Sequence, residues 1–470
     1  MTLSEYVESI KENSIAVVGI GVSNLPLIEL LLKHGCNVTA CDMRTREQMG
    51  GEAERLEKLG ARLRLGPDYL EGLTEQIIFR TPGLMPFDPH LEAARERGSV
   101  ITSEMEVFLS LCPCKVIAVT GSDGKTTTST IIAELLKAAG YTVHLGGNIG
   151  HPLLCEIPEI EPDHIAVLEL SSFQLHSMVC RPDVAVVTNV SPNHLDKHKD
   201  YQDYIDAKRE ILEHQTADCR LILNLDDAQS DYYASASPAH KAWFSDKNPV
   251  SEGSMLRGGI LWRVSGGAER PVLRADEIRL PGEHNVLNYL AAFTAVEGLV
   301  DDSVCAAVAR SFAGVEHRLE TVRVVDGVTF INDSIGTSPT RTIAGLHAMR
   351  VKPIVIAGGY DKHIPFDGLG DELNLHAKKL FLTGDTAPLI YEAVIKSRFY
   401  GENKLEITVL EDFRETVLRA AAAAEKGDVV LLSPACAAFD HFKNFAERGS
   451  FFKSIVMTLE EKTKEHHEDI

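Results

Sequence analysis

The sequence predicts an α/β protein of three domains, each an open and mostly parallel sheet covered by helices. Three observations predict it. Short apolar, β-branched runs alternate with amphipathic stretches of helical period along the chain. Most of these runs stop at Gly, Ser, Thr, Asn or Asp, the residues expected where parallel strands hand over to ligand loops. And 470 residues are too many for a single core.

The first segment, residues 1–103, opens with the amphipathic stretch MTLSEYVESIKEN. A strand is expected over Ser14–Ile20, a helix over Leu25–His34, a second strand over Asn37–Cys41 and another over Ile77–Arg80. Gly19-x-Gly21 after the first strand, with Asp42 closing the second, is half of a dinucleotide fingerprint. Its third glycine is replaced by Asn24. The reading is a Rossmann-like domain whose strand ends meet a nucleotide-like ligand, with NAD the weakest candidate.

The second segment, residues 104–313, carries the most informative run of the chain, Val116–Thr128, VIAVTGSDGKTTT. An apolar strand feeds the loop Thr120, Gly121, Ser122, Asp123, Gly124, Lys125, Thr126, Thr127, and an amphipathic helix follows. Glycines let backbone N–H groups approach phosphate oxygens. The helix N-terminus and Lys125 add positive charge, and a threonine hydroxyl can ligate Mg2+. The loop departs from the usual spacing, because Val119 stands where the pattern has its first glycine. ATP or GTP is the expected energy source, on a P-loop ATPase-like α/β domain.

Buried-looking strands are expected at Ile165–Leu170 and Val184–Asn189. The first places Glu169 at its end, a natural Mg2+ ligand one strand from a phosphate loop. The second leads to His194, a candidate metal ligand or acid–base group, and then to a helix over 204–212. Spacing alone makes Lys208 on that helix a surface lysine. Asp227–Arg279 is less regular and suits β-hairpins.

The third segment, residues 314–470, repeats one theme, a strand followed at once by polar or glycine residues. The strands are expected at Val328–Asn332, Pro353–Ala357, Leu380–Leu382 and Val429–Leu432. They predict a second Rossmann-like rim of ligand loops. Ala420–Ala424 reads as helix, and the tail from Glu460 to Ile470 as solvated.

Composition limits the function. A net charge of −21 argues against nucleic-acid and anionic-membrane partners. No apolar run reaches the ~20 residues that span a bilayer, and the N-terminus has no secretion signal. Nine cysteines, without a C-x-x-C pair, point to reduced thiols in a cytoplasmic protein and away from structural zinc.

TGSDGKTTT, LELSSFQL, TNVSPNHLD with the helix bearing Ala207-Lys208, LPGEHNVLN and EHRLE occur in this order and together resemble the Mur ligases over nearly the whole chain. SSFQL and SPACAAFDHFKNFAERG are similar to the member that adds D-glutamate. The resemblance implies that ATP phosphorylates a substrate carboxylate. An amino acid's amine then attacks the acyl phosphate, giving amide, ADP and phosphate. The implied substrates are UDP-N-acetylmuramoyl-L-alanine, D-glutamate and ATP, used by a monomer with two Mg2+ ions.

Residue roles follow from the same resemblance. Lys125 would hold the β/γ-phosphates, with Thr126 and Glu169 on one Mg2+. His194 would serve the second Mg2+ and the nucleotide-sugar peptide. Lys208 would be carbamylated by CO2 and bind metal as an anion. Asn148 would lie near the substrate carboxylate. Asn288 and Arg318 would contact adenine and phosphate, and Asp333 the ribose. Gly21, Val22 and Ser23 would lie at the uridine diphosphate, Asp42, Met43 and Arg44 around uracil and ribose, and Thr81, Pro82 and Gly83 at the same ligand. Thr337, Lys362 and the Phe445 region would bind D-glutamate.

Two departures stand out: Ile335 replaces a common lysine after Asp333-Ser334, and Ala438 replaces a common serine. The rival readings are a related amide ligase such as folylpolyglutamate synthase, a P-loop ATPase without ligase activity, and a dinucleotide-dependent oxidoreductase.

Overall fold

Strand propensity and helix periodicity build an α/β chain, which a computed structural model describes over residues 1–21, 23–148, 152–194, 197–280, 282–361, 365–403 and 405–460. Val22, Lys362 and the tail beyond residue 460 therefore lie outside the described residues. The chain forms two compact units, Met1–Phe312 and Ala313–Ile470.

The first unit holds two sheets. The N-terminal one contains β1 (Ser14–Val18), β2 (Asn37–Asp42), β3 (Arg62–Leu65), β4 (Ile77–Phe79) and β5 (Val100–Thr102), ordered β3-β2-β1-β4-β5 and parallel throughout. The first strand stops at Val18, not Ile20, because Gly19 turns the chain at φ +87°. That conformation costs glycine little and other residues more.

The second sheet contains β6 (Lys115–Thr120), β7 (Val143–Gly147), β8 (Ile165–Glu169), β9 (Val184–Val187), β10 (Arg220–Asn224), β11 (His240–Ser245), β12 (Gly253–Arg257), β13 (Ile260–Ser265) and β14 (Ala268–Arg274). Their order is β14-β13-β12-β11-β10-β9-β6-β8-β7. From β7 to β12 neighbours are parallel. β12, β13 and β14 form the antiparallel meander expected between Asp227 and Arg279. β6 lies between β8 and β9, so the loops after all three strands open at one edge of the sheet.

One continuous apolar cluster runs from Ile15, Val17 and Phe79 of the first sheet to Phe108, Ala118, Leu168 and Val187 of the second. The two sheets thus share a core, and burying it is what holds the unit together. Arg80, directly after β4, adds a polar tie. Its guanidinium is buried and donates to the Phe173 carbonyl at 2.9 Å, to Ser177 Oγ at 2.9 Å and to the Leu84 carbonyl at 3.0 Å.

The second unit is a six-stranded sheet of β15 (Glu320–Val325), β16 (Val328–Asn332), β17 (Ile354–Ala357), β18 (Lys379–Leu382), β19 (Glu406–Val409) and β20 (Val429–Leu432), ordered β15-β16-β20-β17-β18-β19. Only the β15–β16 pair is antiparallel. Two apolar clusters, one around Val355, Leu380 and Ile390 and one around Ile356, Val417 and Phe452, contain alternate residues of the central strands. Alternation of that kind places the two clusters on opposite faces.

Candidate active site

The loop after β6 is shaped by glycines that nothing larger can replace. Gly121 has φ +147°, and a Cβ there would lie 1.9 Å from Thr188 Oγ1. Gly124 has φ +78°, and a Cβ there would lie 2.4 Å from Asn288 Oδ1. The end of β9 braces the loop. Ser122 N–H donates to the Asn189 carbonyl at 2.8 Å, and Asp123 N–H to Asn189 Oδ1 at 3.0 Å. Thr188 Oγ1 donates to the Asp123 carbonyl at 2.6 Å. Helix Lys125–Ala138 begins here, with Gly124 as its N-cap and no side chain capping it. Its first N–H groups are thus left facing the loop, as anion binding requires. Lys125 Nζ donates to the Gly121 and Ser122 carbonyls at 2.9 Å each. Thr126 is buried in the first turn and Thr127 half-buried.

Strand β8 pairs in register with β6, Val119 opposite Glu169, which sets this carboxylate beside the loop. Glu169 is 1% exposed. Its Oε1 accepts from Asn148 Nδ2 at 2.7 Å, while Oε2 is buried with no hydrogen-bond partner among the described residues. A buried charged oxygen without a partner is costly unless a cation serves it. The site thus fits a hard divalent ion, for which Thr126 and Glu169 are suitable oxygen donors. Gly147, at φ +99°, lets the chain pass Glu169: a Cβ there would meet its carbonyl at 2.2 Å.

Lys208 corrects the reading taken from spacing alone. It is 1% exposed, on the inner face of helix Tyr201–Glu213. Its Nζ donates to the Gly121 carbonyl at 2.8 Å and lies 4.5 Å from the Tyr204 ring centroid. Burial, then the nearby Lys125 charge, hold its pKa well below the ordinary 10.5. Tyr204 itself hydrogen-bonds Ser122 at 2.9 Å. Helix period missed this because the polar run around Lys208 resembles a solvated face.

His194 is exposed, with its ring 5.0 Å from that of Phe173. Its φ of +54° is a strained setting for a non-glycine residue, of the kind that clusters at functional sites. Asn288, from helix Glu283–Ala295, receives a hydrogen bond from Thr128 Oγ1 at 3.2 Å and packs against Gly124. The structure therefore brings Gly121 to Thr127, Asn148, Glu169, Lys208 and Asn288 into one neighbourhood.

The loop after β1 is a second locus. Asp42 accepts from Ile20 N–H at 2.7 Å and from Arg44 N–H at 3.0 Å. It also pairs with the Arg44 guanidinium through two contacts of 2.9 Å. Burial raises the Asp42 carboxyl, but these hydrogen bonds outweigh it and leave the pKa below the usual value. Asp42 thus organises the loop while Met43, Gly21 and Ser23 stay exposed. Asn24 Nδ2 donates to the Val18 and Gly19 carbonyls at 2.9 and 3.1 Å, which explains why asparagine stands where a dinucleotide fold has glycine. Thr81 packs directly on Gly19, so Thr81, Pro82 and Gly83 join the same locus. Ser23, Arg80 and Pro82 line a pocket together with Gly147 of β7 and Gln174 of helix Ser172–Leu175.

In the second unit, the EHRLE loop holds two strained residues, His317 at φ +62° and Leu319 at φ +44°, around the exposed Arg318. Asp333 is buried. Its oxygens accept from Leu319 N–H at 3.2 Å and Ser433 Oγ at 2.8 Å, and burial lifts its pKa to about 6. The ring of Phe445 meets that of His317 at 6.1 Å, and Thr337 is half-buried in the turn after Asp333.

Arg448 was missed from sequence and explains much of the motif containing it. Its buried guanidinium donates to the carbonyls of Ser334, Cys436 and Ala437, each at 3.0 Å. A run of AERG on a helix gives no sign of such a role. At the loop where Ile335 replaces lysine, Arg341 donates to the Ile335 carbonyl at 3.1 Å, so a cation is present there after all. Ala438 is buried, and the replacement leaves no side-chain hydroxyl at that point.

A strand, glycine loop, lysine and helix beside a buried acid define a phosphate-loop nucleotide site. Two family profiles match the chain: the Mur ligase middle domain over residues 119–296, and the Mur ligase, glutamate ligase domain over residues 317–436. The chain is 47% identical to the UDP-N-acetylmuramoylalanine–D-glutamate ligase of Acetivibrio thermocellus, over 97% of this chain and 99% of the relative. It is 44% identical, with the same coverage, to the ligase of that name from Ruminiclostridium cellulolyticum. The fold is shared with the crystal structure of UDP-N-acetylmuramate–alanine ligase from Thermotoga maritima, at 19% identity and a TM-score of 0.56, over 95% of this chain and 99% of that one. The chain belongs to the Mur ligase family.

Proposed function

We propose that this chain joins D-glutamate to UDP-N-acetylmuramoyl-L-alanine, with ATP as energy source, in the synthesis of peptidoglycan precursors. The observation that carries the reading is the identity of 44 to 47%, running almost end to end, with ligases named for that reaction. The site supports the reaction class. Segments 1–103, 104–313 and 314–470 take the nucleotide-sugar, ATP and amino-acid roles.

A carboxylate is a poor electrophile. Transfer of the γ-phosphoryl group breaks its bond to ADP and forms an acyl phosphate. The amine then forms the amide bond, phosphate leaves with the bonding pair, and the amine's proton is released. Such transfer needs alignment and charge neutralisation more than covalent help. Lys125 and the N–H groups of the first helical turn hold the β/γ-phosphates. Asn148 orients Glu169 and stands near the substrate carboxylate. Mg2+, when bound at Thr126 and Glu169, offsets the charge on the phosphates.

Lys208 supplies a second anion. Its buried, readily deprotonated amine adds to CO2 and loses a proton, giving a carbamate that can bind metal together with His194. Ser23, Met43, Arg44 and Thr81 to Gly83 hold the UDP end, and Val22 is assigned there with them. Arg318 and Asn288 serve ATP. Asp333 keeps its ribose assignment, although the carboxylate is already hydrogen-bonded within its unit. Thr337, Phe445 and Lys362 take the amino acid. Nine free cysteines suit a reducing cytoplasm, and the enzyme acts as a monomer.

ADP release with UDP-N-acetylmuramoyl-L-alanine and a panel of D- and L-amino acids tests the reading. Sustained release is expected only with D-glutamate present. Release without the nucleotide-sugar, or with folate and L-glutamate, contradicts it.

A further inference from the structure

Beside the phosphate loop, and outside the machinery described above, two histidines and one carboxylate converge from three different chain segments. His176 follows helix Ser172–Leu175, His198 lies in the connection after β9, and Asp203 sits in the first turn of helix Tyr201–Glu213. One donor atom from each lies within 4.8 Å of the others. His176 Nε2 is 2.9 Å from Asp203 Oδ1, and His198 Nδ1 is 2.8 Å from Asp203 Oδ2.

We propose that His176, His198 and Asp203 form a binding site for a divalent transition metal of the zinc class, separate from the Mg2+ site at Thr126 and Glu169.

The donor set is the first reason. Two imidazoles and a carboxylate match zinc and its neighbours, whereas Mg2+ selects oxygen and retained water. The surroundings of His198 are the second. Its side chain is fully buried, and Nε2 lies 3.0 Å from Ser172 Oγ. A ligating histidine needs its other ring nitrogen held in this way, which fixes tautomer and ring plane. Phe173 stacks on the His198 ring at 5.4 Å and Tyr204 meets it edge-on at 5.2 Å, so the imidazole cannot swing away.

The third reason is access. The side chains of His176 and Asp203 are 18% and 17% exposed, which leaves a path for an ion and room for water as fourth ligand. Bonds of about 2.0 to 2.1 Å in a tetrahedron place donors about 3.4 Å apart. The present separations are about half an ångström shorter, so small rotations of the partly exposed His176 and Asp203, with His198 held in place, are needed to admit an ion. Two cations oppose an ion here: Lys208 Nζ lies over the ring of Tyr204, which packs against His198, and Lys199 Nζ over the ring of Phe87, which packs against His176. An ion here would pin the helix that follows Glu169 to the helix that carries Lys208.

The test uses full-length protein stripped by chelator and dialysed against zinc with Mg2+ in excess. The wild type and Glu169→Gln should each retain one zinc. His176→Ala, a change at a partly exposed position, should weaken binding at least about tenfold. X-ray absorption on the zinc-loaded wild type should show nitrogen and oxygen ligands, with imidazole scattering and no sulfur. Absence of bound zinc, zinc held equally by His176→Ala, zinc lost with Glu169→Gln, or zinc on cysteine sulfur would each overturn the proposal. The absorption measurement stands even if a variant fails to fold.

Discussion

Replacing Lys208 by methionine is expected to lower turnover by about two to three orders of magnitude and to leave the fold intact. The two parts of this outcome have separate causes. In the folded chain the Lys208 ammonium is almost fully buried, near Lys125, with the Gly121 carbonyl as hydrogen-bond acceptor. Methionine fills the volume without that desolvation cost, so the melting temperature should hold or rise. What disappears is the carbamate and the metal site it completes. Steady-state kinetics with ATP and both substrates, together with a thermal melt, checks both parts. Intact-protein mass spectrometry of the wild type in bicarbonate should show the added carboxyl group, and removal of CO2 should lower activity. Near-normal turnover in the variant would end the assignment of Lys208.

Glu169→Gln is expected to cost at least about a hundredfold in turnover, through loss of metal affinity. Without ligands the variant should be no less stable than the wild type. Glutamine keeps the acceptor for Asn148 Nδ2 and removes a buried charge whose second oxygen has no partner. The difference should emerge on adding Mg2+ and ATP. At a hundredfold excess over Kd, bound nucleotide stabilises a protein by about 2.7 kcal/mol. The wild type should show a shift of that order and the variant almost none. Equal shifts in the two proteins would remove Glu169 from the metal site.

The parallel sheets were legible because their strands are apolar runs ended by turn residues, as at Val116–Thr120, Val328–Asn332 and Val429–Leu432. Strand ends were placed less well: Asn189 was expected in β9, which stops at Val187, because Thr188 and Asn189 are used as braces for the phosphate loop. The phosphate loop was legible because its glycines, lysine and helix are contiguous. Arg80 and Arg448 were not, since nothing local marks an arginine as buried. Their roles come from carbonyls distant in sequence, such as Phe173 for Arg80 and Ser334 for Arg448. His198 escaped for a related reason: its partners Ser172 and Asp203 belong to separate helices. β3 and β7 were not legible because RLRL and VHLGG break the apolar run with arginine, histidine and glycine, and β5 offers only three residues.

The central claim is that the substrate carboxyl is activated as an acyl phosphate at the loop of Lys125. It is tested most directly by supplying UDP-N-acetylmuramoyl-L-alanine with both carboxylate oxygens labelled as 18O, together with ATP, Mg2+ and D-glutamate. One labelled oxygen should appear in the released inorganic phosphate and the other in the new amide carbonyl. Phosphate free of label, with amide still formed, would contradict the account.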